Sequence, residues 1–217
     1  MAIDKSHTSP FMKAVIIFVA LTFVVGIGFT SMATTCSSNP TLPATPAAST
    51  STTATVDALS LQYTPVIQAA EASITADPKN YELLVTQAQN YYEWGQQVQQ
   101  ALQGAGSGQD IPIWKAAATY YARALAVKPG DPTVMGDYAV SLFYSGDTPG
   151  AIVEGEKVRT ADPKFAPNLF NLGVFYSSSD QVDKAKAAFE AYLAVEPTGD
   201  MAQTAKDNIA ALSSTTP

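Results

Sequence analysis

Few side chains in this sequence are equipped for chemistry. His7 is the only histidine and Cys36 the only cysteine among 217 residues. One histidine and one cysteine cannot assemble a His/Cys metal cluster. His7 precedes a long apolar run, so a Ser–His or Cys–His nucleophile pair with the rest of the chain is not expected. A lone cysteine forms no intramolecular disulfide. The close acid pairs, Glu154 with Glu156 and Asp180 with Asp183, have the spacing of solvated helix surface and of caps. The glycine-rich stretch Gly104–Gly108 follows no strand pattern and reads as a flexible connection, not a phosphate loop. The net charge is −7 and the Lys and Arg residues are scattered, which leaves no basic track for a nucleic-acid backbone. The sequence therefore predicts no enzyme, no cofactor, no metal and no nucleic-acid partner.

The N-terminal region has a different chemistry. Ala14 to Ala33 is a run of 20 uncharged residues, close to the ~20 that a helix needs to cross the hydrocarbon core. Lys5 and Lys13 precede it, and no Lys or Arg follows until Lys79. The positive-inside rule then places residues 1–13 in the cytoplasm and the rest outside, with 14–33 as a retained single-pass anchor. Ser31-Met32-Ala33 also offers a cleavage site near Ala33, the alternative being a secreted product. Cys36 lacks the lipobox: Ala33 stands where Leu is needed and Thr35 where Gly or Ala is needed, so a free thiol is expected. Residues 34–55 are built mainly from Ser, Thr, Ala and Pro, with no charge before Asp57. Such a segment buries too little surface to offset its ordering entropy and is expected to be a disordered spacer. Residues 213–217 are expected to be a similar frayed tail.

The elements that must position any site come from a repeat. Pro129, Pro163 and Pro197 are 34 residues apart, and Ala117, Ala151 and Ala185 keep the same interval, as do Tyr121, Gly155 and Phe189. A fixed period of this length marks a solenoid whose units bury their apolar faces only against neighbours. Leu169, Leu172, Gly173 and Tyr176 follow i, i+3, i+4, i+7 spacing, and Ala185, Ala188, Phe189 and Tyr192 repeat it, so each period holds two helices. Asp131-Pro132 and Thr148-Pro149 predict helix starts, with Asp110 in the same role before Pro112. Lys128, Asp162 and Glu196, each before a proline, predict helix ends. Ala139 and Gly173 are small where paired helices approach closely.

Asn171 to Pro197, NLGVFYSSSDQVDKAKAAFEAYLAVEP, resembles the tetratricopeptide repeat at its Leu-Gly-x-x-Tyr, its central Ala, the following Phe and the terminal Pro. The middle repeat, Pro132 to Pro163, has Gly155 in place of a large aromatic and Tyr138-Ala139 in place of Leu-Gly. The first repeat starts near Tyr81 and carries a surplus of 17 residues between its helices, within residues 96–113. An extended first helix and a glycine-rich loop would accommodate it. Asp57 to Ala76 is expected to be a leading helix, and Met201 to Leu212 a capping helix. The resemblance implies an all-α, tetratricopeptide-repeat solenoid over residues 57–212, with about three repeats, behind an N-terminal transmembrane helix.

In that family a second stripe on the first helix of each repeat lines a partner groove. Here the stripe is Val85, Gln89 and Tyr92, then Val140, Phe143 and Tyr144, then Phe170 and Val174. Some family members grip a C-terminal carboxylate with Lys, Asn and Arg at positions held here by Val85, Gln89, Asp137, Pro167 and Asn171, so the cationic clamp is absent. The resemblance implies a protein or peptide partner, apolar or extended; with the topology read above, an extracytoplasmic scaffold or adaptor for envelope complex assembly is expected. The alternatives are a permanent structural subunit of a membrane complex, and a groove covered by the leading helix or by residues 96–113. If the stripe is open, Phe143→Ala and Phe170→Ala should leave stability nearly intact, and Gly155→Phe should fill a gap.

Overall fold

The computed structural model describes residues 48–102 and 108–214. The expected cytoplasmic tail, the 14–33 anchor, the spacer as far as 47, the centre of the glycine-rich loop and the last three residues lie outside the described residues. The described residues form α-helices and no strand. In chain order they are α1 (Ala48–Ala76), α2 (Tyr81–Ala101), α3 (Ile111–Val127), α4 (Pro132–Tyr144), α5 (Thr148–Ala161), α6 (Ala166–Ser178), α7 (Val182–Val195) and α8 (Ala202–Ser214). Among them no helix is long and apolar enough to cross a membrane.

Local chemistry sets the ends of these helices. Asp131 caps α4, its carboxylate accepting from the backbone N–H of Thr133 at 3.0 Å and of Val134 at 3.4 Å. Asn80 caps α2 in the same way through Leu83 N–H at 3.2 Å. The α5 cap is Asp147, which accepts from Gly150 N–H at 2.9 Å. Thr148 is the first helical residue rather than the expected cap; a carboxylate reaches the orphan N–H groups better from one position earlier. Asp110 sits at the start of α3 without a side-chain cap bond. Lys128, Asp162 and Glu196 end α3, α5 and α7 with ψ of 97°, 92° and 75°, as the prolines after them require.

α1 differs from the sequence reading. It begins at Ala48, not Asp57, so residues 48–55 of the expected spacer are helical. Val56 and Leu59 pack against the α2 end around Val98. Once that turn is fixed, adding residues N-terminally costs little beyond each residue's own propensity. α8 likewise carries Ser213 and Ser214.

The helices pack mainly in chain order, and smaller contacts that skip an element run from α2 to α4 and from α4 to α6. The first helices of the repeats therefore lie side by side. Small residues set the fit of each pair. A Cβ on Gly173 would stand 2.5 Å from the Phe189 ring, and one on Gly95 2.7 Å from Trp114. Gly155 does not face a gap: a Cβ there would meet Leu172 Cδ2 at 2.8 Å and Asn168 Oδ1 at 3.3 Å. The space left by the missing aromatic is filled from α6, and Asn168 Nδ2 also donates to the Gly155 carbonyl at 2.9 Å.

Candidate functional site

Because α2, α4 and α6 are neighbours, they carry the sequence-selected residues onto adjoining helices: Val85, Gln89 and Tyr92 on α2; Val140, Phe143 and Tyr144 on α4; Phe170 and Val174 on α6. These residues are more deeply set than an open wall requires. Val140 is buried, at 7% exposure; Val85, Tyr92, Phe143, Tyr144, Phe170 and Val174 are half-buried; Gln89 is exposed. Tyr92, Phe143, Tyr144, Phe170 and Val174 lean on the core around Trp114, Leu169, Phe175 and Phe189. Val85 and Tyr92 lean on the core around Ala88 and Tyr121.

The rings form a row across the three repeats. Tyr92 meets Trp114 edge-on with centroids 5.1 Å apart, Trp114 stacks on Tyr144 at 4.8 Å, Tyr144 meets Phe143 edge-on at 5.2 Å, and Phe143 tilts onto Phe175 at 4.9 Å. Phe170 stands edge-on to Phe189 at 5.4 Å and to Tyr192 at 5.5 Å. The expectation that Phe143 and Phe170 are merely exposed is therefore corrected: each has one face on the core and contributes to its packing. Trp114, fully buried in the first turn of α3, is the link sequence reasoning missed. Its place depends on Gly95, and the 17-residue surplus between the two helices hides that pairing from a 34-residue period.

The leading helix does not lie on this stripe. Gln87 Nε2 donates to the Ile67 carbonyl at 3.1 Å, Gln97 Nε2 donates to the Tyr63 hydroxyl at 2.5 Å, and Tyr63 stacks on Trp94 at 5.8 Å. Those α2 residues occupy a different face from Gln89 and Tyr92. The described ends of the 96–113 segment border the row instead: Gln99 and Asp110 both act on the Tyr144 phenol.

One charged group stands among the rings. Asp137 precedes Val140 by one turn and Tyr144 by two on α4. The Tyr121 hydroxyl donates to its Oδ2 at 3.4 Å. Burial pushes the Asp137 carboxyl up to about 6, the Tyr121 hydrogen bond opposes the shift and Asp131 adds to it. Burial, and then the Asp137 carboxylate, hold the Tyr92 and Tyr121 phenols well above the usual range. Among the described residues no group of three or more His, Cys, Asp or Glu side chains is placed to hold a metal ion.

Solved structures with the same arrangement include tetratricopeptide-repeat domains. One described as a crystal structure of MamA has 19% identity and a TM-score of 0.57, covering 70% of this chain and 77% of its own. The chain has a tetratricopeptide-repeat fold. The first repeat domain of Spaghetti (RPAP3), solved bound to the HSP90 peptide SRMEEVD, has 14% identity and a TM-score of 0.51, covering 64% of this chain and 94% of its own. At these identities the likeness is one of fold. No protein-family model matches the chain, and no curated protein matches it by sequence.

Proposed function

We propose that this tetratricopeptide-repeat domain is an extracytoplasmic scaffold or adaptor, tethered by Ala14–Ala33, that holds an extended segment of another polypeptide along α2, α4 and α6. The observation that carries this reading is the set of half-buried rings Tyr92, Tyr144 and Phe143, joined through the buried rings of Trp114 and Phe175. Each half-buried ring keeps one face on the core, so it is held rigid, and amphipathic rigid rings are the anchors on which interfaces concentrate their energy. The peptide held by the RPAP3 domain gives the fold a precedent for such an occupant. The uncharged run and the Lys5/Lys13 bias support the tether.

The half-burial also favours an adaptor over a permanent subunit, because a wall already leaning on its own core does not need constant cover. The test is co-purification from detergent-solubilised membranes with Gln89→Arg and Gln89→Lys, which place a charge on the wall at its exposed residue. A partner lost about tenfold or more, with the melting temperature nearly unchanged, supports the reading. A stoichiometric partner that survives both changes overturns it. Protease added outside the membrane should digest the repeat domain; full protection would refute the orientation.

A further inference from the structure

Tyrosines of this protein differ in the charges set around them. Tyr81, Tyr120 and Tyr176 each carry a cation over the ring: Lys128 at 4.8 Å, Arg123 at 4.9 Å and Lys184 at 5.3 Å. The tyrosines of the row do not. The charged side chains that act on Tyr92, Tyr121 and Tyr144 are Asp137, Glu93 and Asp110, all carboxylates. Asp137 itself has only Asp131 as a charged neighbour of influence, and among the described residues no Lys or Arg pairs with it. A desolvated carboxylate beside aromatic faces is the setting that a cation completes, through the charge and through the ring quadrupoles together.

We propose that the groove selects polypeptide segments bearing a Lys or Arg, whose cationic head seats beside Asp137 against Tyr92 while the flanking apolar residues lie along Tyr144 and Phe143. This rests on the groove reading above and adds the register: one basic side chain fixes where the segment sits. Charge complementarity carries it. The three helices of this face, α2, α4 and α6, carry Asp137 and no Lys or Arg, so an acidic segment of the SRMEEVD kind, which the RPAP3 domain holds, meets like charge here. The carboxylate is retained at a place where burial opposes its ionisation, as is common for groups kept for a ligand.

The experiment is selection from a displayed library of random peptides on the full-length chain, followed by titration of a selected peptide and of its Lys→norleucine and Lys→Glu versions. Selected peptides should share a Lys or Arg at one register. Norleucine should weaken binding about tenfold and Glu further, and the Lys peptide alone should lose affinity in high salt. Asp137→Asn, checked by melting temperature, should erase the difference between Lys and norleucine. Affinity for the Lys peptide should fall as pH drops through about 6. The titratable groups facing Asp137 are the Tyr121 and Tyr92 phenols and Asp131, and the two phenols stay neutral in that range. Apolar peptides selected without a shared basic residue, or a Lys preference that survives Asp137→Asn, overturn this inference and leave the groove reading standing. Failure to select any peptide overturns both.

Discussion

Asp137 is held where its charge opposes folding. Its carboxyl is pushed up from an ordinary 3.8 to about 6, chiefly by burial. A carboxyl raised in the folded state contributes stability that is fully present below about 3.8 and lost as pH rises through about 6. Asp137→Asn keeps an acceptor for Tyr121 and removes the charge. It should raise stability at pH 7 by on the order of 1 kcal/mol, and the gap should close below pH 4. Thermal melts of both proteins across pH 3.5–7.5 check this; a gap that does not depend on pH would contradict it. Gly155 is the second residue whose role the structure changes. Leu172 and Asn168 occupy the space in front of it, so Gly155→Phe should destabilise by at least the ~1–3 kcal/mol typical of overpacking, as Gly173→Leu should against Phe189. Denaturant titration measures both. The sequence showed that an aromatic was missing at Gly155. It did not show what replaced it, because the filling side chains come from the next helix and from a different position in the repeat.

At the scale of the helices, the stops were legible because they are local. A proline restrains the residue before it whatever the tertiary context, and Lys128, Asp162 and Glu196 obey. The start of α1 was not legible, since residues 48–55 are helical as an extension of a helix that is packed further along. The turns between paired helices show another local rule. Gly146 has φ of 95° and Asp180, one period later, has φ of 57°. Gly146→Ala should therefore cost about 1 kcal/mol and Asp180→Gly should be neutral or slightly stabilising; thermal melts of the two variants test the pair, and equal losses would contradict the account. Burial within the stripe was the least legible feature. Periodicity placed Phe143 and Phe170 on the correct helices but not at their depth, which depends on Phe175, Phe189 and Tyr192. Phe143→Ala and Phe170→Ala should each lose about 1–3 kcal/mol, less than the ~2–5 kcal/mol for fully buried Leu169→Ala. Chemical denaturation of all three ranks them. Losses near zero for the phenylalanines would return them to an open wall.

Across the whole molecule, the solenoid is a row of paired helices whose first members adjoin from α2 to α6. That adjacency brings a residue-level pattern onto neighbouring helices, with half-buried rings backed by buried ones and an acid among them. Sequence reasoning placed the stripe on adjoining helices because the repeat period fixes which positions correspond. It could not find Trp114 in the row, because residues 96–113 break the period there.

The most direct test of the central claim is site-specific photo-crosslinking in intact cells, with a photoreactive residue at Gln89 or Val174 on the first-helix face or at Val153, which is exposed on α5. The account predicts one shared polypeptide adduct from Gln89 and Val174 and none from Val153. An equal adduct from Val153, or adducts from Val153 alone, would contradict the assignment of the α2, α4 and α6 face as the partner-binding surface.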